Sequence, residues 1–287
     1  MLFRSALFTL SLDFLAACGL VSLGHAGLLG VGAYMFAGLA VLKGVPPGFA
    51  FVAGLAAGAA AAFLAGLFVV RTSGAFFIMV TLAVAEMFYA WVFRNRTFNG
   101  ADGMGGVPRL DLSGVGIDLG DPQIFALAVI LVTALVWLAL ELVAASPFGR
   151  TLDAIRQNPS RVAALGGRVY LYRLAAFTVS GGLAALAGCF KVQHTNFLSP
   201  DLASWLFSGD VLVATVIGGI GTLVGGPLGA TILVFLKHFL SSHVGHWYLF
   251  LGAIFAFVAL AMPRGIVGFI LSIVSRSPAR PPTEDAT

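Results

Sequence analysis

What this chain of 287 residues has least of is charge: Asp, Glu, Lys and Arg together make up 10% of it, where a soluble domain carries about a quarter. That shortage excludes both a water-soluble globular domain and a solvated disordered chain. Cysteine is scarce as well. Cys18 and Cys189 sit in apolar surroundings without a CxxC pair or a histidine cluster, so neither a disulfide framework nor a cysteine metal site is expected. His238, His243 and His246 lack the spacing of metal ligands across one helix face. No Ser/His/Asp or Cys/His arrangement emerges, and Ser180-Gly181-Gly182 is not a GxSxG elbow. The GxxxxGK[ST] phosphate loop is missing, and Gly219-Ile220-Gly221 fails the GxGxxG pattern because Val224 stands where the third glycine belongs. The sequence therefore predicts a chain that is not an enzyme, with no catalytic residue, no metal and no bound cofactor. If ATP drives it, another subunit hydrolyses the ATP.

What is abundant is apolar sequence, 59% of the residues, with a mean hydropathy of +1.00. A run of ~20 apolar residues crosses the ~30 Å hydrocarbon core of a bilayer. Nine segments qualify as approximate spans: Ala6–Leu23, Ala26–Leu42, Gly48–Val70, Ala75–Phe93, Pro122–Ala144, Leu174–Phe190, Phe207–Ile220, Gly226–Leu240 and Trp247–Met262. The predicted fold is all-α, a polytopic integral membrane protein forming one transmembrane domain over residues 1–287. The net charge of +4 then concerns orientation in the bilayer, and no nucleic-acid partner is expected.

Most of that charge lies in one island, Pro147 to Arg173, where Arg150, Arg156, Arg161, Arg168 and Arg173 face the single acid Asp153. Loops that retain Lys and Arg stay in the cytoplasm, so residues 147–173 are predicted to lie inside. Alternation then puts the long loop 94–121, with Asp102, Asp111, Asp118 and Asp121, on the periplasmic side, and the tail 264–287, disordered at its end, inside. The same count places Met1 and Arg4 outside without a preceding span, which fits a first segment that does not cross, or a truncated start that lacks a helix. Leu15-Ala16-Ala17-Cys18-Gly19 mimics a lipoprotein cleavage box, but Asp13 interrupts the apolar run and the chain downstream is polytopic.

The island also has the pattern of a docking element. Leu152 and Ile155 share one face of a short helix beside Arg156. Asn158-Pro159 breaks that helix, and Ser160 is placed to cap a second one ending at Gly166-Gly167. Such a helix at a membrane surface can enter a groove on a partner. The alternative is a basic connector that only sets topology.

Within the spans, Asp13, Glu86, Asp210, Glu141 and Lys237 are the ionisable residues that stand out, and His25 marks a helix start. Such groups face a bundle interior or a wet cavity. His25, Glu86 and Asp210 are therefore candidates either for lining a path or for holding helices together. Gly54 and Gly58, and the glycines from Gly218 to Gly229, let helices approach closely or break.

Several ordered blocks then carry a family resemblance. Ser22-Leu23-Gly24-His25-Ala26-Gly27 through Gly30-Val31-Gly32-Ala33-Tyr34 resembles the SLGHA…GxGAY motif of the branched-chain amino acid ABC transporter permeases, in its LivM-type form. Thr81 to Glu86 with Asp102-Gly103, the Gly149-Arg150…Ile155-Arg156…Gly166 loop, and Ile217 to Gly229 match in the same order. Asp13 and Asp210 depart from the Asn and Glu more usual in relatives. The resemblance implies a bacterial inner-membrane importer with an ABC importer permease-like bundle. Its expected partners are a LivH-type second permease subunit, two cytoplasmic ATPase subunits that bind ATP-Mg, and a periplasmic solute-binding protein. Arg150, Leu152, Asp153, Ile155, Arg156 and Arg161 would form the ATPase-coupling element. An ion-coupled secondary transporter using Glu86 and Asp210 is the rival reading.

Overall fold

Apolar segments in hydrocarbon must pair their backbone N–H and C=O groups internally, which makes them helices. In the computed structural model, which describes residues 2–110, 119–243, 249–255 and 265–267, they are. The order is α1 (Leu2–Ala16), α2 (His25–Ala37) continued by a π-helical turn at Gly38–Leu42, α3 (Pro47–Val69), α4 (Ala75–Arg94), α5 (Pro122–Ala145), α6 (Pro147–Gln157), α7 (Pro159–Ala164), α8 (Val169–Thr195), α9 (Trp205–Gly218) and α10 (Gly225–His243). The protein is an all-α, multi-pass membrane protein. Among the described residues five helices are long and apolar enough to cross a bilayer: His25–Leu42, Pro47–Val69, Ala75–Arg94, Pro122–Ala145 and Val169–Thr195. Ser5–Ala16 and Trp205–Gly218 are shorter apolar helices. Of the predicted span Trp247–Met262, residues 249–255 are helical and the others lie outside the described residues, as do Asp111, Asp118 and the tail arginines.

Two predicted boundaries are corrected. The first helix stops at Ala16 and not at Leu23, because Gly19 takes a φ of +78° and the Cys18 amide and thiol both turn back to the Leu15 carbonyl. The helix expected from Leu174 begins at Val169 and runs to Thr195, so its first turns come from the basic island and its last from beyond Phe190. Tyr170 anchors that start, donating its hydroxyl to the Leu67 carbonyl at 3.0 Å with the Arg71 guanidinium over its ring.

Helix α8 is the hub, and small residues set its distances. A Cβ on Gly54 would reach the Cys189 sulfur at 2.9 Å, one on Gly58 would strike Ala185, one on Gly181 would strike Ala62, and one on Gly66 would meet Leu174 at 2.8 Å. As the α3 number rises by four, the α8 number falls, which is an antiparallel seam of glycine against alanine. Helix α2 lies parallel on the same hub, with Gly32 against Ala185 and the Cys189 thiol on the Gly32 carbonyl. Helix α1 packs against α5, α8, α9 and α10. From Ala6 to Ala16 no residue is exposed, Thr9, Ser11 and Asp13 included.

The two ends differ. At one, β1 (Met104–Gly105) pairs antiparallel with β2 (Phe197–Leu198), joining the long loop to the α8–α9 connection. Arg109 seals that end, donating to the carbonyls of Gln193, Leu119 and Gly120 while lying over the Phe125 ring. At the other end sit α6 and α7. The 24 residues of α5 separate the two, roughly 36 Å at 1.5 Å per residue.

Candidate functional site

The basic island folds as the helix–turn–helix that its sequence predicts, with one change of cap. Ser146 starts α6 by accepting from the Gly149 amide. Asn158, and not Ser160, starts α7, accepting from the Arg161 amide at 3.0 Å. Pro159 occupies the first helical position, which places Ser160 already inside the helix.

The expected partner-facing residues are also corrected. Leu152 and Ile155 are 1% and 0% exposed, so their apolar face is turned into this chain. The seat is internal. Leu152 shares a cluster with Phe14, Leu15, Cys18, Leu20 and Leu223, and α6 lies across the end of α1 and the α9–α10 turn. Arg156 touches both, since a Cβ on Gly19 would be 3.4 Å from its Cα and one on Gly221 would be 3.0 Å from its guanidinium. Asp153 accepts from Arg156 at 2.7 Å and from Gln157 at 2.9 Å. The outward surface is instead made by Arg150, Asp153, Arg156, Arg161 and Arg168, together with Leu165, which is 84% exposed. Leu165 was missed in the sequence because it reads as the last residue before a Gly-Gly helix stop.

The three candidate polar groups are not brought together. His25 lies in a sealed core. Its Nε2 is 2.6 Å from the Ser180 hydroxyl, and Ser180 donates its one proton to the Ser11 carbonyl. Ser180 must therefore accept from His25, which assigns the proton to Nε2. Nδ1 has no hydrogen-bond partner, and the ring stands edge-on to Phe177. Next to it the Ser208 hydroxyl accepts from the Ala26 amide at 2.9 Å. His25 thus ties α1, α2 and α8 together at the level where α9 begins. Glu86, on α4, is half-buried, and its Oε1 lacks a hydrogen-bond partner. Asp13 does structural work of the same kind as His25: buried in α1, it accepts the Gly221 amide at 2.6 Å and so fastens the glycine-rich turn between α9 and α10.

Asp210 opens on a cavity of about 450 Å³ between α1, α8, α9 and α10. Its Oδ2 lies 2.6 Å from the Lys237 ammonium. Lys191, His238 and Ser241 add polar groups towards the long-loop end, and the Lys191 ammonium is 5.5 Å above the Phe207 ring. Val211, Ala214, Ala230 and Leu233 form apolar walls. Towards the α6 end the helices close up. A Cβ on Gly218 would strike Gly225, one on Gly229 would strike Ala214, and one on Gly226 would lie 3.4–3.5 Å from Thr9 and Asp13. Lys191 was overlooked in the sequence because the predicted span ended at Phe190, whereas the helix runs on past it.

With this geometry in view, comparison with known proteins is informative. The family described as branched-chain amino acid transport system / permease component matches residues 3–259. The high-affinity branched-chain amino acid transport system permease protein LivM of Escherichia coli (strain K12) is 28% identical over 277 residues, covering 87% of this chain and 64% of that protein. Its counterpart in Salmonella typhimurium is 29% identical over the same coverage. The fructose import permease protein FrcC of Rhizobium meliloti is 28% identical over 199 residues, 66% of this chain and 54% of that protein. The chain thus spans less than two thirds of the length of these relatives. No solved structure matches it.

Proposed function

Because the chain belongs to the branched-chain amino acid transport system permease family, we propose that it is the membrane permease subunit of an ATP-driven importer for branched-chain amino acids or similar small polar solutes. It works in a bacterial inner membrane beside a second permease subunit, with a periplasmic binding protein delivering solute and two cytoplasmic ATPases supplying energy through their own bound ATP-Mg. The α6–α7 element faces the cytoplasm and the long loop the periplasm, as the arginine distribution favours.

One observation carries this reading. The cavity and the basic helical element lie on opposite sides of one glycine-packed closure, and α6 rests on the turn that makes it through Arg156 on Gly221, with Leu152 and Leu223 lining one space beside that contact. Displacement of α6 by a closing ATPase pair is therefore transmitted to the α9–α10 turn that Asp13 holds. Two packings of that turn, biased by nucleotide and solute, give alternating access. The docking surface is the outer one, with Leu165 as apolar anchor and Arg150, Arg156, Arg161 and Arg168 as its charged rim.

ATP-dependent uptake of leucine into liposomes, by the chain purified with its co-expressed genomic neighbours, is the expected result. Uptake that needs no ATPase and follows a proton or sodium gradient would instead install the ion-coupled reading, which the unpartnered Glu86 oxygen favours.

A further inference from the structure

The ion pair in the cavity differs in kind from the sealed polar groups of the bundle. Asp13, His25 and Ser180, which hold helices together, are each 0% exposed. Lys237 and Asp210 form their 2.6 Å pair with 25% and 39% of their side chains open, on the wall of a space large enough for a small solute. A charge pair sealed from water is costly to break once formed; one left partly open can exchange partners. Its neighbours also match a ligand with a charged head and an aliphatic tail. Lys191 and His238 stand on the polar side, and Val211, Ala214, Ala230 and Leu233 on the apolar side.

Resting on the permease reading above, we infer that this cavity is a zwitterion-binding site, in which Asp210 and Lys237 separate to receive the α-ammonium and α-carboxylate of one amino acid with an aliphatic side chain. In an amino acid the two charges are one carbon apart, so one molecule bridges an acid and a base already in contact. Each protein charge exchanges one counter-charge for another, which keeps both compensated throughout. A sugar of the kind named for the relative FrcC offers no such exchange. To enter between the pair it must leave an acid and a base without full partners, which discriminates against it.

The test uses the full chain in membranes with its co-expressed neighbours, carrying Ser241→Cys on the cavity wall. Cys18 and Cys189 are buried and need no replacement. Protection of that thiol from a maleimide is titrated with L-leucine, with 4-methylpentanoate (no ammonium), with 3-methylbutylamine (no carboxylate) and with D-fructose. Leucine is expected to protect, each singly charged analogue to need about tenfold more for the same protection, and fructose to give none. Equal protection by fructose or by either analogue, or no protection by any probe, overturns the site.

Asp210→Asn and Lys237→Gln are each expected to raise the leucine requirement about tenfold. The reversal, Asp210→Lys with Lys237→Asp, keeps a pair and should recover most of the protection. It carries the test if a single variant fails to reach the membrane, and its failure to protect while well folded overturns the site as well. Transport on the same membranes separates the two readings. ATP-driven uptake of fructose together with fructose protection sinks the zwitterion site and leaves the importer standing. Leucine protection with uptake that follows an ion gradient keeps the site and removes the importer.

Discussion

At the scale of single residues, the buried polar groups divide by whether they still have water. Ser180 accepts a hydrogen bond from His25 and donates one to the Ser11 carbonyl; Ser180→Ala strands a buried N–H, at a cost of about 1–3 kcal/mol. The expected outcome is a lower unfolding temperature in detergent, with the solute affinity of the surviving fraction unchanged. Asp13→Leu should do the same by orphaning the Gly221 amide, whereas Asp13→Asn keeps an acceptor and most of the stability. Measuring both variants by thermal scanning checks the assignment, and equal losses would contradict it. The sequence could say that Asp13, His25 and Asp210 had to be satisfied or wetted. Which fate befell which residue depends on contacts such as that of Asp13 with Gly221, 208 positions away, and no local pattern carries that.

At the scale of elements, the seam between α3 and α8 makes adjacent glycines unequal. A Cβ at Gly181 would strike Ala62, while one at Gly182 would lie 3.5 Å from Ala59, an ordinary contact. Gly181→Ala is therefore expected to force the helices apart and cut the yield of folded protein. Gly182→Ala should be neutral or gain up to about 1 kcal/mol from helix propensity. Expression followed by size-exclusion in detergent compares them directly, and a reversed order would refute the seam. The short helices invite a similar pairing. Leu165→Asp, on the outer surface, should abolish ATPase co-purification and leave the bundle folded, because interface energy concentrates in a few anchors. Ile155→Asp, fully buried, should instead lower the stability of the permease itself. Helix identity was legible here because Leu152 and Ile155 share one helical face and Asn158-Pro159 divides the island into two helices. The direction of the apolar face was not, since an amphipathic helix pattern does not say whether its greasy side meets its own chain or another.

At the scale of the whole molecule, the two polar ends give a topology that labelling can read. A cysteine placed at Asp102 should react with a membrane-impermeant reagent from the periplasmic side and one placed at Gln157 should not; the opposite pattern would invert the orientation proposed from the arginines. The nearly complete burial of α1 has a consequence for how such a chain is made. The four helices that pack on α1 among the described residues, α5, α8, α9 and α10, all follow it in the chain, and α9 and α10 come some two hundred residues later. Until they emerge, α5 and α8 can cover only part of a segment bearing Thr9, Ser11 and Asp13, and the amide that will meet Asp13 does not yet exist. Assembly of this bundle is thus held open until late in translation. A ribosome that stops before Gly221 releases a product whose central helix is unfinished, a ready target for membrane proteolysis.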